Sequence, residues 1–161
     1  MSTPEEKLGE LLVEKGLTLA VAESATGGLI SHRITNVSGS SAYYMGSITA
    51  YSNEIKLKLL GVNVETLVNY GAVSSQVAIQ MAQGGRRVLK ADICVADTGI
   101  AGPGGASNEK PVGLVYIAIV DAHDSHVRRY VFSGTRETNK DYFADAALTW
   151  LVEYLENLEG Y

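Results

Sequence analysis

The sequence predicts an α/β protein, a three-layer α/β/α sandwich around a mixed sheet with an antiparallel hairpin at one end. Three observations carry this. The apolar runs Leu17–Glu23 and Asp92–Thr98 both end in glycine-rich loops, and the first loop opens a helix, which is half of a parallel crossover unit. The runs Gly113–Val120 and His126–Phe132 flank the short polar turn Ala122-His123-Asp124-Ser125, a hairpin pattern. The 161 residues show no linker, repeat or low-complexity segment, so residues 1–161 are expected to form one domain.

Thr3-Pro4-Glu5-Glu6 starts a helix, with a capping hydroxyl, proline in the first turn and acids at the positive dipole end. Leu8, Leu11 and Leu12 form its apolar stripe, and Gly16 closes it. The strand Leu17–Glu23 runs into Ser24-Ala25-Thr26-Gly27-Gly28, which opens a helix through about Asn36. A small-residue loop over 37–44 precedes a strand over 46–52, after which Asn53 caps a short helix ending at Leu60-Gly61. A further short helix spans Val64 to Tyr70. A longer one begins at Ser74 or Ser75, with Val77, Ala78, Met81 and Val88 apolar. Its Gly84-Gly85 pair is costly inside a helix and implies close packing or a kink. The third strand ends in the loop Gly99–Gly105, and a C-terminal helix spans Glu137 to Leu158 after the hairpin.

Composition excludes several classes of function. Hydrophobic residues make up 46% and charged residues 19%, an ordinary balance for a folded chain, and the net charge of −5 argues against nucleic acid as the main partner. A small anion stays compatible, because one arginine or helix N-terminus can hold it. No stretch approaches the length of a bilayer span, and the acidic start lacks a signal-peptide pattern, so a cytoplasmic location and no membrane partner are expected. The single cysteine, Cys94, sits in an apolar run and reads as a buried small hydrophobe. The three histidines are His32, His123 and His126. None lies near a nucleophile-elbow motif, and no further ligands cluster around the last two, so neither a Ser-His-Asp triad nor a metal site is expected.

In open α/β sheets ligands bind at the carboxyl ends of parallel strands, so the first and third loops can converge on one crevice suited to a phosphate-bearing ligand. Neither loop matches a nucleotide fingerprint, and glycines at strand ends also serve as plain turn formers. Ser40 and Ser41 lie ahead of the second strand, and Lys56 lies in the first turn of the helix after it. A serine hydroxyl needs a base, and a desolvated lysine can be one. On spacing alone, a capping serine and a solvated lysine describe the same residues.

Six segments occur together: Ala22–Gly28, Gly39-Ser40-Ser41-Ala42, Tyr51-Ser52-Asn53-Glu54-Ile55-Lys56, Gly71-Ala72-Val73-Ser74, Thr98–Pro103 and Pro111-Val112-Gly113. In this order the set resembles the CinA C-terminal domain family, the stand-alone nicotinamide-nucleotide amidases, over essentially the whole chain. The resemblance implies an α/β/α fold with a five-stranded mixed sheet. It also implies hydrolysis of the nicotinamide mononucleotide carboxamide to nicotinate mononucleotide and ammonia, in pyridine nucleotide salvage, by a Ser/Lys mechanism with no metal or cofactor. It puts the nucleophile on Ser41, the base on Lys56 and a supporting tyrosine on Tyr51. Substrate contacts are expected from Ser24, Thr26, Gly27, Gly28, Gly99, Ala101, Gly102 and Arg136, and relatives suggest a homo-oligomer, a dimer. Ala25 stands where many relatives have cysteine, and Gly104–Glu109 departs in detail. The larger proteins of that family carry an added N-terminal domain resembling molybdopterin-binding proteins, whose pyrophosphatase activity is not expected here. Two other readings are a non-catalytic nucleotide-binding module and an amidohydrolase for another small amide.

Overall fold

A strand that is apolar on both faces needs helices on both sides. Two strands here have that character: β1 (Leu19–Glu23) is buried throughout, and β3 (Ile93–Gly99) is buried up to its last residue. The computed structural model describes residues 1–160 and sets these strands at the centre of a five-stranded sheet ordered β2-β1-β3-β4-β5. β2 (Tyr44–Thr49) and β3 both run parallel to β1. β4 (Leu114–Val120) is antiparallel to β3, and β5 (Ser125–Val131) is antiparallel to β4, closing the expected hairpin with Val120 opposite Ser125.

Three helices cover one face: α1 (Pro4–Lys15), α2 (Leu29–Thr35) and α6 (Arg136–Glu156). Their Leu8, Ile30, Phe143 and Leu148 pack with Leu19, Val21, Val95 and Ile117 of the sheet. The opposite face takes α3 (Asn53–Leu60), α4 (Val64–Tyr70) and α5 (Ser75–Leu89), with Leu60, Val77, Ala78 and Met81 against Ala20, Ala22, Cys94 and Ala96. The alternating inward residues of β1 and β3 therefore supply both cores. Cys94 is fully buried, as its apolar run implied.

The helix starts follow the sequence signals. Thr3 and Glu6 exchange hydrogen bonds in a capping box at the head of α1. Ser52 rather than Asn53 caps α3, its hydroxyl accepting from the Ile55 N–H at 3.2 Å. β2 begins two residues earlier than expected and stops at Thr49, because the chain must turn at Ala50 to bring α3 onto the sheet. α5 carries its glycine pair without interruption. A Cβ on Gly84 would lie 1.8 Å from the Leu60 carbonyl oxygen, and one on Gly85 would lie 2.7 Å from Cys94 Sγ. The pair is there for close packing of α5 against α3 and β3.

Candidate active site

Because β1, β2 and β3 are mutually parallel, their carboxyl ends lie along one edge of the sheet. A cavity of about 350 Å³ opens there. Ser24 and Ala25 enter it from the loop after β1, and Tyr51, Asn53 and Lys56 from the segment after β2. The end of β3 and the loop after it contribute Thr98 through Gly102, and the first residue of α6 contributes Arg136. The convergence expected of the first and third loops is present.

Lys56 is the group with the greatest chemical consequence. It stands in the first turn of α3, only 2% exposed, among the largest fully buried side chains of the protein. Its Nζ donates to two backbone carbonyls, Ala50 O and Tyr51 O, each at 3.0 Å. No carboxylate pairs with it as a salt bridge among the described residues. Burial pushes its pKa below the ordinary lysine range, and only a charged Asp97 would pull it partly back up. The N-terminal end of α3 also disfavours a cation there. A neutral amine would have two hydrogens for the two carbonyls and one lone pair left over.

Ser24 is the buried serine that shares this cavity. Its backbone N–H donates to Asp97 Oδ1 at 3.2 Å, which ties the β1 loop to β3. Thr26 is buried beneath the loop, its N–H on Asp97 Oδ2 at 3.2 Å. Gly27 and Gly28, at φ 61° and 106°, turn the chain into α2. With Thr26 they line a separate depression of about 470 Å³ beside His32 and Lys140. Of the expected substrate contacts, Ser24, Gly99, Ala101, Gly102 and Arg136 therefore line the cavity with Lys56, and Thr26, Gly27 and Gly28 do not.

Ser41 requires a correction. It is exposed on a single 3₁₀ turn, Ser40–Ala42, at the amino end of β2, whereas Lys56 follows the carboxyl end. Six strand residues lie between the two ends, roughly 20 Å at 3.3 Å per residue. The two side chains are not brought together. The resemblance put the nucleophile on Ser41, but the strand itself holds its flanks apart.

Tyr51 lies at the rim, 63% exposed, and its hydroxyl accepts from Arg136 Nη2 at 3.1 Å. Arg136 Nη1 donates to Gly102 O at 2.9 Å, so one guanidinium straps the β2 and β3 loops together. Lys56 is held by the Tyr51 carbonyl, not its phenol. One turn along α6, the buried Asn139 donates to Ala101 O at 3.0 Å and Gly134 O at 3.1 Å, fixing the same loop from below.

Sequence reasoning passed over Glu23, Asp97 and Thr98. The first two are fully buried carboxyls, and the Thr98 hydroxyl donates to Ala72 O at 2.7 Å on the cavity wall. Their signal was an acid at the carboxyl end of each apolar run, Ala22-Glu23 and Ala96-Asp97, where a buried charge demands a function or a partner. Among the described residues no group of three or more His, Cys, Asp or Glu is arranged to hold a metal, and no helix is long and apolar enough to cross a membrane.

Comparison with known proteins matches residues 1–155 to the CinA C-terminal domain. A CinA-like protein of Salinibacter ruber is 51% identical over 146 residues, covering 91% of this chain and 35% of that protein. A CinA-like protein of Geobacter sulfurreducens is 49% identical over 150 residues, covering 93% of this chain and 36% of that protein. The chain thus spans about a third of the length of these relatives. Among solved structures, a competence-damaged protein (CinA) superfamily protein of Klebsiella pneumoniae superposes with TM-score 0.93 at 29% identity, covering 98% of this chain and 100% of that one. The competence/damage inducible protein CihA of Agrobacterium tumefaciens gives 0.89 at 38%, with the same coverage.

Proposed function

This chain belongs to the CinA C-terminal domain family, and from that premise we propose that it is an amidohydrolase releasing ammonia from the carboxamide of nicotinamide mononucleotide. Ser24 is the nucleophile and Lys56 its base. One observation carries the chemistry: a buried lysine amine, bonded only to neutral carbonyls, in one cavity with a buried serine. The substrate comes from the family resemblance, and the glycine-rich walls and Arg136 suit its phosphate.

Lys56 takes the proton of Ser24 Oγ as that oxygen attacks the carboxamide carbon. Backbone N–H groups of the two loops are the available donors to the oxyanion, each worth about 3–4 kcal/mol in such sites. Protonated Lys56 then gives its proton to the departing nitrogen, and ammonia leaves an acyl-Ser24 ester. Water, deprotonated by the same amine, attacks that ester, and Lys56 returns the proton to the departing Ser24 Oγ as nicotinate mononucleotide is released. Arg136 binds the phosphate, and Tyr51 steadies Arg136.

The test is ammonia release from nicotinamide mononucleotide by the wild type, Ser24→Ala, Ser41→Ala and Lys56→Met. Loss of about 100-fold or more is expected for Ser24→Ala and Lys56→Met, with Ser41→Ala unchanged. No release from folded wild type with the nucleotide, its riboside or free nicotinamide would remove the hydrolase reading. Release from all three alike would remove the phosphate contact.

A further inference from the structure

Below Ser24 lies an acid cluster that the reaction above does not use. Thr26 Oγ1 is 2.6 Å from Asp97 Oδ1 and 2.7 Å from Glu23 Oε1. A threonine hydroxyl has one hydrogen, so it can donate to only one of these oxygens and must accept from the other. Two ionised carboxylates would leave one contact with no hydrogen in it, in a fully buried place. One carboxyl therefore carries a proton.

The surroundings say which. Glu23 also accepts from the N–H groups of Ile30 and Ser31 at the head of α2, at 2.9 and 3.0 Å, so its charge is well supported. Asp97 accepts only the longer N–H contacts of Ser24 and Thr26, both 3.2 Å. β4 opposes it with Ile117. Burial, aided by the charge of Glu23, holds its carboxyl well above the usual range. Of the other ionisable groups around the cluster, Lys56 on α3 lies within reach of the Asp97 charge, and His32, Glu137, Lys140 and Asp141 line the depression beside Thr26.

We propose that Asp97 is a positioning residue that holds a proton under the Ser24 loop, donates it in a hydrogen bond to Thr26 Oγ1, and so keeps negative charge away from the Lys56 amine. Thr26 in turn donates to ionised Glu23. An ionised Asp97 would attract a proton onto Lys56 and remove the base, so the neutral pair is the working form. The inference rests on Lys56 acting as the base.

Two measurements on the full chain need no turnover. Infrared difference spectra between about pH 5 and 8 read protonated carboxyls, and the Cε shift of carbon-13-labelled lysine, assigned by its loss in Lys56→Met, reads the amine. Expected are a buried protonated-carboxyl band that Asp97→Asn removes, and a neutral-amine Cε for Lys56 under the same conditions. An ammonium Cε without that band overturns the proposal, as does a band that survives in Asp97→Asn. Asp97→Asn should keep kcat within about tenfold and leave the acid limb of its pH profile in place, whereas Asp97→Ala loses about 100-fold or more. A limb moved down by about one unit in Asp97→Asn means the aspartate was ionised and also overturns it. Failure of ammonia release leaves the two spectroscopic results standing, so the two readings fail separately.

Discussion

Replacing Gly84 by alanine sets helix propensity against packing, and the two give opposite signs. Propensity alone favours alanine in the interior of α5 by about 1 kcal/mol. The structure puts the new Cβ 1.8 Å from the Leu60 carbonyl oxygen, 2.6 Å from its carbon and 2.8 Å from its Cα, all backbone at the last turn of α3. Ordinary carbon–oxygen contact is about 3.3 Å, so the helices must separate by roughly 1.5 Å. No rotamer change relieves a backbone clash, so the cost belongs at the top of the overpacking range, about 3 kcal/mol. Net destabilisation of about 2 kcal/mol lowers Tm by roughly 4–8 °C for a chain of this size, read by calorimetry. Because Lys56 stands one turn before Leu60 on α3, the same displacement moves Nζ off its carbonyls, and kcat falls about 100-fold. Gly104→Ala, with nothing within 4 Å and no positive φ, is the stability control. A Gly84→Ala protein that melts at or above the wild-type temperature refutes the packing argument.

Other outcomes follow from the same geometry. Lys56 has a folded pKa below its unfolded value of 10.5, so its stabilising contribution is complete above that pH and is lost as pH falls through the folded pKa. Lys56→Met should therefore gain in Tm relative to wild type as pH falls from 10 towards the folded value, and a constant gap across a pH series of melts would count against a buried neutral amine. Activity with the wild type should rise with pH through the same titration, because the amine must be neutral to act. Arg136→Ala removes the bonds to Gly102 O and the Tyr51 hydroxyl, and KM for the nucleotide should rise about tenfold or more, with a smaller change for the riboside. Equal changes for both substrates would assign Arg136 to loop positioning alone.

The layers and the terminal hairpin were legible because their signals are local and repeated, whereas the strand order comes from the structure. Double-faced apolar runs mark β1 and β3, a polar turn marks β4 and β5, and capping residues mark α1 and α3. The loop after β3 was legible because it adjoins a strand end, whereas Lys56 was marked by the resemblance and its burial comes from the structure. The partnership of Glu23, Thr26 and Asp97 was not. It joins residues 71 positions apart between Thr26 and Asp97, through contacts that exist only once β1 and β3 are paired. Tyr51 was marked by the resemblance and lines the cavity, but its geometry was not legible, since its carbonyl and its phenol serve different partners.

The choice between Ser24 and Ser41 shows what decides such a site. Both serines sit in small-residue loops beside a strand, and in sequence Ser41 is the nearer to Lys56. A strand, however, has two ends, and parallel pairing sends all carboxyl ends to one edge of the sheet. Ser24 leaves β1 at that edge, and Lys56 enters α3 just after β2 reaches it, while Ser41 approaches β2 from the other edge. Loop composition cannot distinguish these cases, but strand direction can. If Ser41→Ala nonetheless abolished ammonia release in a folded protein while Ser24→Ala did not, reaction at the cavity with Lys56 would be untenable. The base would then have to be sought at the amino end of β2.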